Sequence, residues 1–490
     1  MSLGVTAPEF YYDDPDSSAP IQPDEFVAFV ESFKQAALTL GAIPNARPFL
    51  EYSDVVVDHT AQPVIVWCGW TRIPIRLCLP GMVTGDGQEL MKRRGYIPPE
   101  WMVSIMDAFI KDPTPGPSVV PPLPYRPADG ARLSDKDHQQ ILENFEELYD
   151  DDTGGWGQVH RFIHEQSMDY LLRRAQERDV VASRRARQTL DEVIALIDPV
   201  WGGVFQYSDE LDWSSPHYEK IMLSQIHYLR QYSLAYLLFD ETRYLEAAAS
   251  IYDYLTEFML SDLGTFYTSQ DADLNKSVDG KQFYTLDDSQ RRRLGMPSID
   301  HNVYTRENAW VVSALLGYYA ATSHQSVLDQ AIKTATHMIT KHSDDSVGFR
   351  RSESLDDRYY LGDQVALSQA MLDLYAATGH QQWLHQVART LDFVRQQFSL
   401  EEGGFASASQ EPSSSGVFGE RYRQVEENVY TARTMNLAYR YLGHKQFREL
   451  SHHAMKFPAS EQVLSQPRFL IGVSLAQLGS CNRSDAESGY

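Results

Sequence analysis

Four stretches of the chain bring acid, base and aromatic side chains close together. The first runs Gly202-Gly203-Val204-Phe205-Gln206-Tyr207 and continues Trp213-Ser214-Ser215-Pro216-His217-Tyr218-Glu219-Lys220. Proline suits the first turn of a helix. Pro216 would therefore put the His217 imidazole and the Glu219 carboxylate in that turn, near enough to pass a proton. Tyr207, Trp213 and Tyr218 supply the rings of a sugar-binding wall; a plain helix start is the alternative. The second stretch, Thr268-Ser269-Gln270-Asp271-Ala272-Asp273, offers carboxylates at i and i+2. These suit a general-base pair, a weak hard-cation site or simple loop caps. No third acid stands at a suggestive spacing, so no metal is implied.

The third stretch, Asp300 to Trp310, carries His301, Arg306, Asn308 and an indole, a set that can grip hydroxyls or a carboxylate. Thr305 reads as the N-cap of the helix that follows, with Glu307 in its first turn. The fourth consists of two helix starts: Asp363 after Gly362, which reads as an N-cap and a substrate ligand, and Glu426-Glu427, of which Glu427 is the candidate acid or base. The remaining histidines, among them His227, His337, His342 and the pair His452-His453, read as packing or surface residues. The run Arg291-Arg292-Arg293 reads as a solvated loop patch. There is no phosphate-cradling glycine loop, no nucleophile elbow and no Cys-x-x-Cys, so no cofactor is implied.

The elements that must position these residues recur. From Ser134 onward each unit is an apolar-periodic helix, a short turn and a second helix, closed by a glycine-aromatic turn. Those turns fall at Gly154-Gly155-Trp156-Gly157, Gly202-Gly203-Val204-Phe205, Gly264-Thr265-Phe266-Tyr267, Gly348-Phe349 and Gly403-Gly404-Phe405. Helix pairs are expected at about 160–198, 217–260, 306–342, 362–398 and 427–462, with single helices at Asp135–Tyr149 and Pro467–Leu478. Twelve helices bury their apolar faces most simply in a closed (α/α)6 toroid, the two singles pairing to seal it. A tetratricopeptide-like array is the alternative, but its period is nearly fixed. Here the spacing is uneven, from Gly154 to Gly202 in one case and from Gly264 to Gly348 in another.

Upstream, residues 1–21 read as a disordered leader and 22–111 as a small α/β domain. That domain has a helix at Glu25–Leu40, β-rich runs at Asp54–Val57, Pro63–Trp67 and Ile73–Leu79, and an apolar helix at Pro99–Ile110. Residues 112–132 read as a linker, with seven prolines between positions 113 and 127. The ring is expected over 133–480, with a flexible tail at 481–490. Hydrophobic residues make up 43% and aromatics 12%, enough for a large core, and the formal net charge is −24. That charge opposes phosphate-driven binding of nucleic acid and docking on anionic membranes. Three cysteines build no disulfide framework. Without an apolar span or a leader of the signal-peptide kind, the expectation is a cytoplasmic protein acting on a small molecule or on another protein.

The order Gly-Gly-Trp-Gly, Gly-Gly-Val-Phe-Gln-Tyr, Trp213 to Met222, then Phe266 to Asp273 resembles the thioredoxin-domain proteins related to the spermatogenesis-associated thioredoxin-like protein. Their usual segments are Gly-Gly-Phe, Trp-x-x-Pro-His-Phe-Glu-Lys-Met and Asp-Ala-Asp. Gly280-Lys281-Gln282-Phe283-Tyr284 is similar to their Glu-Gly-x-Tyr-Tyr stretch. The resemblance covers about residues 140–445. It implies a thioredoxin domain followed by an (α/α)6 barrel similar to N-acylglucosamine 2-epimerase and several glycoside hydrolases. The chain departs from the pattern at Tyr218, where the family has Phe, and at Gln206, where it often has His or Arg. It departs again at Trp67-Cys68-Gly69-Trp70, which holds a single cysteine, while Arg72-Ile73-Pro74-Ile75 and the Gly85-Asp86-Gly87 turn look like the thioredoxin proline strand and hairpin. The first domain is therefore expected to be a redox-dead remnant.

The resulting expectation is an epimerase-like proton transfer on a sugar-like substrate. His217 with Glu219 would form one acid/base group and His301 or Glu427 the other, with Arg306, Asn308 and Asp363 holding hydroxyls. Hydrolysis by a pair drawn from Asp271, Asp273, Glu219 and Glu427 is one alternative. A non-catalytic scaffold that binds a protein partner is the other.

Overall fold

The computed structural model describes residues 126–128, 130–157, 160–343, 347–353, 358–410, 421–465 and 470–480, together with the backbone of three short strands and of isolated positions near residue 110. The chain divides into two units, Met1–Pro124 with Gln410–Arg421 and Tyr125–Ser409 with Tyr422–Tyr490. In the first unit, β1 (Val64–Cys68), β2 (Leu79–Val83) and β3 (Glu89–Lys92) form an antiparallel sheet in the order β1-β2-β3. The helix expected at Glu25–Leu40, the strand at Asp54–Val57 and Pro74 lie outside the described residues.

The second unit is the ring. Its first helix is α1 (Asp135–Glu147). The hairpins are α2 (Glu165–Gln176) with α3 (Val180–Val193), and α4 (Met222–Phe239) with α5 (Thr242–Tyr254). Two short helices, α6 (Gly280–Tyr284) and α7 (Asp288–Leu294), interrupt the next loop. The hairpins then resume as α8 (Thr305–Thr322) with α9 (Gln325–Lys341), and α10 (Leu361–Thr378) with α11 (Gln381–Phe398). After α12 (Val425–Leu442) and α13 (Lys445–Met455) come α14 (Glu461–Leu464) and α15 (Ile471–Ser480). Helices α2, α4, α8, α10, α12 and α15 each pack on the next and α15 returns to α2, which closes the circle; α15 also packs on α1, so the two single helices seal it. Among the described residues no helix is long and apolar enough to cross a membrane.

The division into inner and outer helices follows from composition. Helices α4, α8 and α10 are apolar on nearly every side and are buried along most of their length, as an all-round apolar helix must be. Outer helices bury a single stripe, such as Trp383, Leu384, Val387, Leu391 and Val394 on α11. Each inner helix from α4 to α12 ends in a left-handed residue that turns the chain outward at once: Asp240, Ser323, Gly379 and Gly443.

One construction repeats four times and fixes where the inner helices begin. After each outer helix a single β-bridge closes the glycine-aromatic turn: Ile197 with Val204, Leu260 with Phe266, Ser343 with Phe349 and Ser399 with Phe405. The fourth residue of the following inner helix then clamps the bridged residue by its backbone. Gln225 Oε1 accepts from Val204 N at 2.7 Å and its Nε2 donates back to Val204 O at 2.6 Å. Asn308 does the same to Phe266 at 2.7 and 3.0 Å, Gln364 to Phe349 at 2.8 and 2.6 Å, and Asn428 to Phe405 at 2.7 and 3.0 Å. A buried amide thus satisfies a backbone donor and acceptor that would otherwise go unpaired. The turns also need glycine. At Gly203 φ is +73° and a Cβ would stand 2.5 Å from the Tyr254 ring.

Three local expectations are corrected. Pro216-His217 is not a helix start but a strand paired with Tyr207-Ser208, and Lys220-Ile221 pairs with Ser269-Gln270. Helix α4 begins only at Met222, because the Gln225 clamp and the burial of Lys220 set its first turn. Neither Thr305 nor Asp363 is an N-cap; they are the first and third residues of α8 and α10, which carry no side-chain cap. Of the run Arg291-Arg292-Arg293, the second and third residues are exposed as expected, but the first is not. Arg291 is fully buried, its guanidinium bidentate on Asp198 at 2.7 and 3.1 Å, and Lys220 shares the same carboxylate at 2.8 Å.

Candidate functional site

The sequence-predicted residues separate into three groups. Tyr207, His217, Glu219 and Asp271 come together. Strand pairing sets Tyr207 opposite His217, with rings stacked at 4.7 Å and 3°. His217 Nε2 stands 3.9 Å from Glu219 Oε2. Burial raises the Asp271 carboxyl above its usual range, and the nearby His217 pulls against it.

A second group is structural. Trp213 is almost wholly buried and donates its indole N–H to Thr153 O at 2.7 Å, so it presents no face to a sugar. Asn308 is spent on its backbone clamp. Tyr218 stacks on Tyr284 at 5.3 Å in an aromatic cluster with Phe205. Asp273 accepts from Gly280 N at 2.7 Å and closes a loop. His301 is exposed, with its ring edge-on to Tyr267.

The third group, Arg306, Asp363 and Glu427, meets at the start of three successive inner helices. Gly362 makes this possible, since a Cβ there would stand 3.1 Å from Arg306 Cδ and 3.2 Å from Glu427 Oε1. Asp363 Oδ1 accepts from Arg306 N at 3.0 Å, and Arg306 also grips Glu307 at 2.6 Å and lies over the Trp310 ring at 5.1 Å. Burial pushes Asp363 up to about 7, against the pull of Arg351 and Arg306. It pushes Glu427 up to about 7 as well, against Ser407 and Arg306. Burial acts upward on Glu307 too, but Arg306 and Arg351 hold it below the ordinary carboxylate value. Asp363 Oδ2 and Glu427 Oε2 are buried and have no hydrogen-bond partner among the described residues. Acids near neutrality are matched to general acid and base work.

Deeper in the ring lies a set that the sequence reading did not assemble, although it named the Trp310 indole and read His227 as a packing or surface residue. Side chains from helices that are not ring neighbours can meet only through its centre, and several do. Glu165 on α2 receives the Tyr430 hydroxyl of α12, and its Oε2 lies 3.2 Å from His227 Nε2 of α4. Trp310 of α8 faces both rings, at 6.2 Å from His227 and 6.1 Å from Tyr430. One turn further, Arg230 grips Asp169 at 2.6 and 3.1 Å and Arg433 adds a third bond at 3.2 Å. His227, Trp310 and Tyr430 are each the sixth residue of their helix, and Arg230 and Arg433 each the ninth. The available signal was therefore positional: a polar or aromatic residue recurring at one register of otherwise apolar helices.

The architecture is an (α/α)6 barrel, a fold it shares with solved sugar epimerases and isomerases. The solved cellobiose 2-epimerase of Bacillus thermoamylovorans superposes with a TM-score of 0.53 at 13% identity, over 64% of this chain and 83% of that one. A D-mannose isomerase matches with a TM-score of 0.54 at 12% identity, over 71% and 97%. In sequence, the chain is homologous to spermatogenesis-associated protein 20. It is 27% identical to the mouse protein over 154 residues, 30% of this chain and 19% of the relative. An uncharacterized protein of Caenorhabditis elegans is 21% identical over 71% of this chain and 63% of its own length. The chain thus spans less than two thirds of each of these curated relatives. No protein-family model matches it.

Proposed function

We propose that the barrel moves a proton on a sugar-like substrate held at the inner face of the ring, in the manner of a 2-epimerase. The observation that carries this reading is the pairing of two kinds of acid/base group around one indole. On one side is the His227 imidazole oriented by Glu165; on the other are Asp363 and Glu427, raised to about 7 beside Arg306. Trp310 links the two sets, with its ring 6.2 Å from that of His227 and beneath the Arg306 guanidinium at 5.1 Å. In the reaction one group takes the proton from the carbon next to a carbonyl, and the opposed group returns a proton on the other face. Arg306 and Arg351 supply positive charge for the oxygen that becomes anionic between those steps. The cluster of Tyr207, His217, Glu219 and Asp271 serves at the rim as a binding surface. We assign residues 22–111 to a thioredoxin-like remnant without redox chemistry, on the ground that Cys68 has no Cys-x-x-Cys partner.

The test is incubation with a panel of aldoses, disaccharides and N-acyl amino sugars in deuterated water. Solvent deuterium at one carbon, lost in His227→Ala and in Glu427→Gln, is the expected result. Release of reducing ends without exchange would replace the proposal by hydrolysis. Absence of both, with a tightly co-purifying protein, would replace it by a scaffold.

A further inference from the structure

Beside Thr305, the first residue of α8, two histidines and a glutamate converge. His337 sits on α9, His342 is the residue that ends that helix, and Glu353 follows the glycine-aromatic turn. One ligand atom from each lies within 4.8 Å of the others. His337 Nε2 stands 3.2 Å from Glu353 Oε1.

We infer that His337, His342 and Glu353 form a binding site for a borderline divalent transition metal of the zinc class. The donor set decides the class, because two imidazoles and one carboxylate suit Zn2+ and Co2+, whereas Ca2+ and Mg2+ take oxygen ligands. Three protein ligands leave a fourth tetrahedral position for water. A sphere of this kind needs its ligand atoms about 3.3 Å apart at ordinary Zn–N distances. His337 Nε2 and Glu353 Oε1, at 3.2 Å, already stand at that separation, and all three ligand atoms lie within 4.8 Å of one another.

The surroundings prepare His342 as a ligand. The Thr305 hydroxyl donates its single proton to Arg350 O at 2.5 Å, so at the 2.7 Å contact with His342 Nδ1 it must accept. That places the imidazole proton on Nδ1 and leaves Nε2 with its lone pair. A threonine backed by a carbonyl is the kind of outer partner that fixes tautomer and ring orientation in metal sites. Glu353 lies two residues beyond Arg351, and Thr305 one before Arg306. An ion here would thus tie the end of α9 to the segments that deliver both arginines of the candidate site.

The experiment uses the full chain, stripped with a chelator and titrated with Co2+ as an optical probe, followed by Zn2+ competition. The site predicts one equivalent of Co2+ per chain with the intense visible bands of a four-coordinate ion, displaced by Zn2+. It also predicts a Zn2+-dependent rise in melting temperature. Glu353 is exposed and His337 is not fully buried, and both His337→Ala and Glu353→Gln are expected to keep the circular dichroism of the parent. Each should lose the bands and the melting shift. No saturable uptake, the pale spectrum of six-coordinate Co2+, or uptake unchanged in both folded variants would overturn the assignment. The proton-transfer proposal stands or falls separately, since its readout is deuterium exchange.

Discussion

Replacing Asp363 by Asn isolates the electrostatic strain on which the candidate site depends. Asp363 is nearly inaccessible and burial raises it from 3.8 to about 7. An acid raised in this way binds its proton more tightly in the folded protein than in the unfolded one. Its contribution to stability therefore declines as pH climbs from the unfolded value to the folded one. Integrating that difference from pH 5 to pH 8, at 1.36 kcal/mol per unit, gives a loss of about 2.5 kcal/mol in the parent. Asparagine mimics the protonated acid: its carbonyl can keep the bond from Arg306 N, and its amide replaces the buried Oδ2. By that linkage the parent has already lost about 1.6 kcal/mol at pH 5 relative to its protonated form, a loss the variant does not share, and between pH 5 and pH 8 a further gap of about 2.5 kcal/mol should open in favour of the variant. For a unit of roughly 350 residues the gap corresponds to about 3–4 °C in melting temperature. Glu427 is raised in both proteins, so to first order its own decline cancels in the comparison. Melting curves at half-unit steps between pH 5 and 8 make the measurement. Parallel curves for parent and variant would show that Asp363 is ionised throughout, and the argument for near-neutral acids at this mouth would fail with it.

Asn428→Leu removes the clamp on Phe405 and leaves one buried N–H and one buried C=O unpaired; a loss of about 2–5 kcal/mol is expected in urea unfolding. Gln364→Leu should behave alike at Phe349. Asp198→Asn strips the common partner from buried Lys220 and Arg291 and should lower stability by about 3–5 kcal/mol, read as a drop in melting temperature or in soluble yield. Trp213→Phe loses the bond to Thr153 O and should reduce stability by about 1–3 kcal/mol. For any sugar found to bind, its dissociation constant by calorimetry should not change in this variant, whereas a stacking role would weaken it.

The ring was legible because its signals are local and repeated. An apolar period, a turn glycine and an aromatic recur five times, and no other closed packing uses five hairpins and two unpaired helices so simply. Part of the candidate site was legible for the same reason. Arg306, Asp363 and Glu427 were found because each opens an inner helix, and they do meet over Gly362. His217 and Glu219 were found as neighbours but in the wrong element, because strand pairing to Tyr207 overrides the helix signal of Pro216. Trp213 and Asn308 are polar or aromatic residues at the right address whose groups are used up inside the protein, by Thr153 and by Phe266. His227 was passed over because a histidine in the middle of an apolar helix carries no sequence mark of which way it faces.

The sequence alone determined the number of hairpins, their direction and the end of the ring at which polar residues gather. Those properties follow from spacing along one helix or one turn, where interactions reach only three or four residues. Only the tertiary structure decided which side chains share an environment. Glu165, His227, Trp310 and Tyr430 lie on four different helices and become one set because the ring closes. Asp363 and Glu427 rise to about 7 for the same reason: closure buries them, and burial, unlike spacing, is a property of the whole fold.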